Sequence, residues 1–149
     1  MDQLDNKTIF LFGLIVRDVE TTARNYARIF GVPMPEIGTV AKSAFANVRY
    51  RGEATEGYGK SAFFNMGSVH IEMIEPVGGP SVWEEMLRTR GEGIHHFAIK
   101  TDHFEEAVNM LGEQGIPVIQ FGGWEEGRYA YMDSAAQLGT IFELLDWRK

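Results

Sequence analysis

The chain reads twice. The segment LFGLIVRDVETTARNYARIFGVP, from Leu11, lies over HFAIKTDHFEEAVNMLGEQGIP, from His96, with one single-residue gap near Phe30, so that Gly31-Val32-Pro33 falls on Gly115-Ile116-Pro117. Further on, Val69 to Glu75 lies over Thr140 to Asp146, which puts Glu72 on Glu143. A repeat of this kind constrains a fold more than any single motif, because each copy must bury the same faces.

Each copy opens with alternating apolar residues and continues at helical spacing: Val19, Ala23, Tyr26, Ala27 and Phe30 in the first, Phe104, Ala107, Val108 and Leu111 in the second. Asp18 and Thr101 or Asp102 suit the N-caps, and Gly-x-Pro after each helix supplies a left-handed stop. Strands are then expected at Val40 to Tyr50, Lys60 to Met66, Val118 to Phe121 and Arg128 to Asp133, each followed by the terminal strand of its copy. Each half is βαβββ, and the class is α+β: two tandem βαβββ modules forming one curved-sheet cavity. With 149 residues, 44% of them apolar, the chain is expected to be one domain over 1–149. Module one covers about 8–76, a connector about 77–92 and module two about 93–147. Leu11 to Glu72 is longer than His96 to Glu143 by 14 residues, which are expected as a hairpin or flap within Val48 to Lys60. Ser81 and Glu84 stand in capping-box relation at the head of a connector helix, and Met1 to Thr8 is expected to be a loosely held tail.

Strand alternation places Leu11, Gly13, Glu72, His96, Ala98 and Glu143 on the concave side, and Phe12, Leu14, Val16, Phe97 and Ile99 under the helices. His95 is expected to turn away from the cavity and His103 to face solvent. Two carboxylates among Ile, Met, Phe and Leu are costly to desolvate unless something neutralises them. With no cysteine, a metal site must draw on imidazole and oxygen. Glu72, His96 and Glu143 form such a set, suited to Mn, Co, Ni, Fe, Mg or Zn. Salt-bridged strand residues, or a satisfied core histidine, are the plainer alternatives. His70 shares a face with Glu72, as an acid/base or as a polar residue at the cavity mouth. Trp124, Tyr129 and Tyr131 lie in a glycine-bearing stretch that could close over a ligand, or simply pack; Arg128 is the candidate for an anionic substrate group. Phe45, Phe63 and Asn65 are candidate wall residues.

A net charge of −7 with scattered Lys and Arg argues against nucleic-acid binding. No apolar run approaches the roughly 20 residues that span a bilayer, and the start MDQLDNKTIF lacks a secretory pattern, so no membrane association and a cytoplasmic location are expected.

Taken together, Val69-His70-Ile71-Glu72-Met73-Ile74-Glu75-Pro76, Gly93-Ile94-His95-His96-Phe97-Ala98 and Gly139-Thr140-Ile141-Phe142-Glu143-Leu144 resemble the vicinal oxygen chelate superfamily. That superfamily comprises glyoxalases, methylmalonyl-CoA epimerases, extradiol dioxygenases and bleomycin-resistance proteins; methylmalonyl-CoA epimerase-like and glyoxalase-like members are the nearest match. The resemblance runs from Leu11 to Trp147. It implies a divalent metal (Zn, Mn, Co, Ni or Fe) on Glu72, His96 and Glu143, a homodimer, and a lyase or isomerase acting next to a carbonyl of a small molecule (acyl-CoA, 2-oxo acid or thiohemiacetal). His70 and Glu143 would then be catalytic, with Leu11, Arg128, Tyr129, Tyr131 and Trp124 binding substrate. The superfamily's first ligand, a histidine, falls on Leu11. That substitution opens the alternative of a metal-free protein sequestering a hydrophobic or aromatic ligand.

Overall fold

Leu11–Ile15 forms β1, and Asp18 ends the turn after it by accepting the Thr21 backbone N–H at 3.1 Å, which starts α1 (Val19–Phe30). Gly31, at φ 65°, stops that helix in the left-handed conformation. The computed structural model describes residues 1–148. The chain continues through β2 (Gly38–Val40), β3 (Arg49–Tyr50), β4 (Glu53–Ala54), β5 (Tyr58–Asn65), β6 (His70–Val77) and the connector helix α2 (Val82–Thr89). The second copy runs β7 (Gly93–Lys100), α3 (Phe104–Glu113), β8 (Val118–Trp124), β9 (Gly127–Met132), the single turn α4 (Ala135–Leu138) and β10 (Ile141–Trp147). Among the described residues no helix is long and apolar enough to cross a membrane.

The ten strands of the described residues join one curled sheet in the order β2-β5-β6-β1-β7-β10-β9-β8-β3-β4. The two copies meet where β1 runs antiparallel to β7, and each of those strands has a parallel partner from the end of its own copy, β6 or β10. The register shows the repeat directly. Gly13 lies opposite Glu72 while Ala98 lies opposite Glu143, and across the join Leu11 faces Ala98 as Gly13 faces His96. Positions 11 and 96, 13 and 98, and 72 and 143 are therefore equivalent, as the sequence alignment requires.

Three apolar clusters follow from the strand alternation. One seats α1 on Leu14, Ala62, Phe64, Ile71 and Met73, a second seats α3 on Ile99, Ala130, Phe142 and Leu144, and the third lies in the concavity. That third cluster holds Trp83 and Met86 of α2 against Ile15, Ile74, Tyr129 and Tyr131. The connector is thus a structural wall of the concave side. Ser81 caps it by accepting from the Glu84 N–H, and the buried Gln120 fixes its first turn, its Oε1 accepting from Val82 N at 2.8 Å while its Nε2 donates to the Tyr129 hydroxyl at 3.1 Å. Replacing Gln120 with Ala leaves both partners buried and unpaired. We expect a loss of about 1–3 kcal/mol, read as a lower urea midpoint at unchanged slope.

Several expectations are corrected. No single strand spans Val40 to Tyr50: Ala41 and Asn47 adopt positive φ (64° and 41°), which an extended chain cannot accommodate, so only the ends of that stretch pair. The extra residues do form a hairpin, β3–β4, but β3 pairs with β8 of the other copy, extending the second half of the sheet. The cap of α3 is His103, beyond the expected Thr101 or Asp102, and the Thr101 hydroxyl instead accepts the His103 backbone N–H. The first eight residues are anchored at positions 4–6. Asp5 accepts from the Thr101 hydroxyl at 2.6 Å and from Asp102 N at 3.0 Å, Asn6 donates to the Lys100 carbonyl, and Leu4 packs on the second-copy core.

Candidate metal and substrate site

Glu72, His96 and Glu143 come from three different strands and meet on the concave side. Each offers a ligand atom, and these atoms all lie within 4.8 Å of one another. All three residues are buried, and His96 Nε2 stands 3.3 Å from Glu143 Oε1. Neither atom has a hydrogen-bond partner, an expensive arrangement for buried polar groups.

Burial sets the charges. It pushes the Glu143 carboxyl up to about 8, the Tyr131 hydroxyl offsetting part of that rise, and it holds Glu72 well above the usual carboxylate range, with the Glu143 charge adding to the effect. The same desolvation pushes the His96 imidazole down to about 3. At neutral pH the trio is therefore a neutral imidazole with carboxyls that resist ionisation. A divalent cation reverses this balance, because it rewards the ionised carboxylates and takes the lone pair of a neutral imidazole. The unpartnered atoms, the donor types and their proximity all fit a small divalent ion.

Two features place His96, and neither is a ligand. A bulge shifts the β1–β7 register beyond Gly13, bringing His95 back to the concave side, where its Nδ1 lies 2.9 Å from His96 Nδ1. This corrects the expectation that His95 turns away: strict alternation fails where one strand carries an extra residue. With Nδ1 engaged by His95, the His96 ring presents Nε2 to Glu143. The second feature is Gly13. A Cβ there would come within 1.9 Å of His96 Cε1, so the ring occupies the space that any larger residue would fill. The lone glycine inside a strand was the sequence signal for this close approach.

Above the trio lies a cavity of about 410 Å³, lined on its walls by Phe10, Leu11, Phe63, Trp83, Trp124, Tyr129, Tyr131 and Trp147 among others. Trp83 Nε1 donates to the Tyr131 hydroxyl at 3.1 Å, and the Tyr131 ring packs on His96 at 4.8 Å between centroids. Leu11, Trp124, Tyr129 and Tyr131 thus line the cavity, and Phe63 does too. Other candidates fall outside it. His70, the first residue of β6, is exposed and does not line the cavity. Arg128 points to the outer side, held by Asp146 at 3.1 Å and Glu105 at 3.2 Å over the Phe104 ring. Phe45 and Asn65 are exposed, as is His103. Sequence reasoning missed Trp83, which lies in the connector outside the repeat, and Trp147, the last residue of β10, although alternation puts it on the face of Glu143.

A model of the glyoxalase/bleomycin resistance protein/dioxygenase superfamily matches residues 12–132. The chain belongs to this superfamily. Among solved structures, this glyoxalase-superfamily chain is similar to methylmalonyl-CoA epimerase of Streptomyces coelicolor, with 19% identity over 96% of this chain and 99% of that one and a TM-score of 0.64. It is also similar to methylmalonyl-CoA epimerase of Mycobacterium tuberculosis, with 15% identity, coverage of 99% and 94%, and a TM-score of 0.65. A hypothetical protein from Bacillus halodurans gives 20% identity, coverage of 95% and 94%, and a TM-score of 0.65. These likenesses establish the curled α+β sheet of tandem modules. An uncharacterized protein of Bacillus subtilis is 36% identical over 88 residues, 57% of this chain and 63% of that protein, so the match spans less than two thirds of the relative's length.

Proposed function

We propose that this superfamily member is a metal-dependent lyase or isomerase that moves a proton next to a carbonyl of a small molecule. The supporting observation is the buried Glu72–His96–Glu143 trio beneath an apolar cavity, with His96 Nε2 and Glu143 Oε1 unpartnered. When bound there, a divalent ion supplies Lewis-acid polarisation of a substrate oxygen. Glu72 and His96 would hold it, with Glu143 completing the set.

The chain's own groups supply the remainder. The Glu143 carboxyl, which lines the cavity, is the group placed to take a proton from carbon and return it once it leaves the ion. Tyr131, pinned by Trp83, orients the His96 ring and the Glu143 carboxyl. The aromatic walls exclude water and position the substrate plane. His70 does not enter the scheme: His70→Ala is expected to leave turnover within about twofold of the parent, and a loss beyond tenfold would return it to the reaction.

A test free of assumptions about product is exchange of substrate carbon-bound hydrogen in D₂O, followed by NMR, with chelator-stripped and Mn²⁺-, Co²⁺-, Ni²⁺- or Zn²⁺-loaded protein. Metal-dependent exchange that disappears in Glu143→Gln supports the proposal; exchange indifferent to metal refutes it. The second reading is a metal-free protein that sequesters an aromatic ligand. Leu11, an apolar residue at a position the resemblance reserves for a ligand, favours it. Failure of stripped protein to take up any of the four metals would select that reading.

A further inference from the structure

The cavity's charge inventory restricts what it can take. Among the described residues, Glu72 and Glu143 are the only charged groups of the lining; no Lys, Arg or His belongs to it. Cations nearby are committed elsewhere. Lys60 pairs with Glu75 at 3.9 Å, Lys100 lies 3.8 Å from Asp102 over the Trp147 ring, and both arms of Arg128 are taken. The two carboxylates already require the whole charge of one divalent ion. A substrate carboxylate or phosphate inside would therefore add an uncompensated negative charge to a low-dielectric space.

The rest of the lining says what is welcome. All three tryptophans of the chain, Trp83, Trp124 and Trp147, face the cavity, with Tyr129 and Phe63 beside them. Flat apolar walls of this kind favour a planar ring, through dispersion and offset or edge contacts. About 410 Å³ is at the small end of ligand sites, enough for one compact molecule.

Resting on the function proposed above, we infer that the substrate is an uncharged aromatic compound carrying a carbonyl, and that anionic acyl carriers and 2-oxo acids are selected against. The three tryptophans make binding directly visible in their fluorescence. The Mn²⁺-loaded full chain is titrated with 2-hydroxyacetophenone, with its anionic counterpart mandelate, and with propionyl-CoA, while Mn²⁺ retention is followed by electron paramagnetic resonance. The inference expects the neutral aromatic to bind at least about tenfold more tightly than either anion, and Trp124→Ala to weaken it about tenfold or more without releasing Mn²⁺. Equal or tighter binding of mandelate or propionyl-CoA, or no binding of the neutral probe while Mn²⁺ stays bound, overturns it. Loss of Mn²⁺ from unliganded protein is a separate result, which strikes the metal proposal itself; the titrations repeated without metal then decide the charge selectivity by the same tenfold criterion.

Discussion

Gly13→Ala is expected to reduce divalent-metal affinity by about 100-fold, as large an effect as removing a ligand, although residue 13 contacts no metal in the proposal. The added Cβ would lie 1.9 Å from His96 Cε1, 2.3 Å from Nε2 and 2.4 Å from Nδ1. The ring has no free direction in which to retreat, because it is fully buried between Tyr131 and His95. Either the imidazole swings out of the trio or β1 separates from β7. Gly112→Ala is the matched control: it sits in α3 with nothing within 4 Å of its added carbon, and should leave metal binding unchanged while stabilising the chain by about 0.5–1 kcal/mol. Isothermal titration with Mn²⁺ or Zn²⁺ on stripped protein measures both. Parent-like affinity in Gly13→Ala would show that His96 is not held by that close contact.

The second large effect is on stability against pH, and it changes sign with metal. In metal-free protein the folded Glu143 carboxyl, at about 8, sits above its ordinary 4.5, and Glu72 is also raised, so over this range the folded chain keeps protons that the unfolded chain has released. Stability from these groups falls as pH rises. His96 acts in the opposite sense: its folded value of about 3 lies below 6.5, so stability rises with pH across that interval and its contribution is complete above 6.5. The two effects oppose one another from about 4.5 to 6.5, and the carboxyl effect stands alone from about 6.5 to 8. Metal-free protein should therefore lose about 2 kcal/mol through Glu143 alone across that upper window. Glu143→Gln removes that share of the slope. With saturating metal the slope reverses, since protons then compete with the ion for the ligands. Urea midpoints at pH 6.5, 7.25 and 8, with and without metal, give the sign; a flat metal-free profile would mean that the carboxyls are already neutralised by some other group.

Much of this architecture was legible because the chain repeats. Alternation in Val69 to Glu75 and Thr140 to Asp146 placed both glutamates on the cavity side, and the alignment of Leu11 with His96 reappears in the β1–β7 register. What escaped notice lies where local pattern and tertiary pairing diverge. Nothing in Arg49 to Ala54 says that its hairpin pairs with the other copy, because the partner strand β8 is some 70 residues away in the chain. Alternation misplaced His95 because one bulged residue inverts every face beyond it. Trp83 belongs to a connector outside the repeat, so symmetry had no counterpart for it. His70 shares the parity of Glu72, yet one strand step moves it from the enclosed floor to the exposed rim. Parity gives the face of a sheet, and depth within the concavity depends on where the strand leaves it.

In the proposed site Glu72, His96 and Glu143 together hold one divalent cation. Anomalous diffraction from crystals grown with Mn²⁺ or Zn²⁺, recorded at the absorption edge of the metal, tests it most directly. One strong peak is expected, about 2.0–2.3 Å from His96 Nε2 and from a carboxylate oxygen of each glutamate. A peak that lies elsewhere, or none between the three at saturating metal, would contradict it.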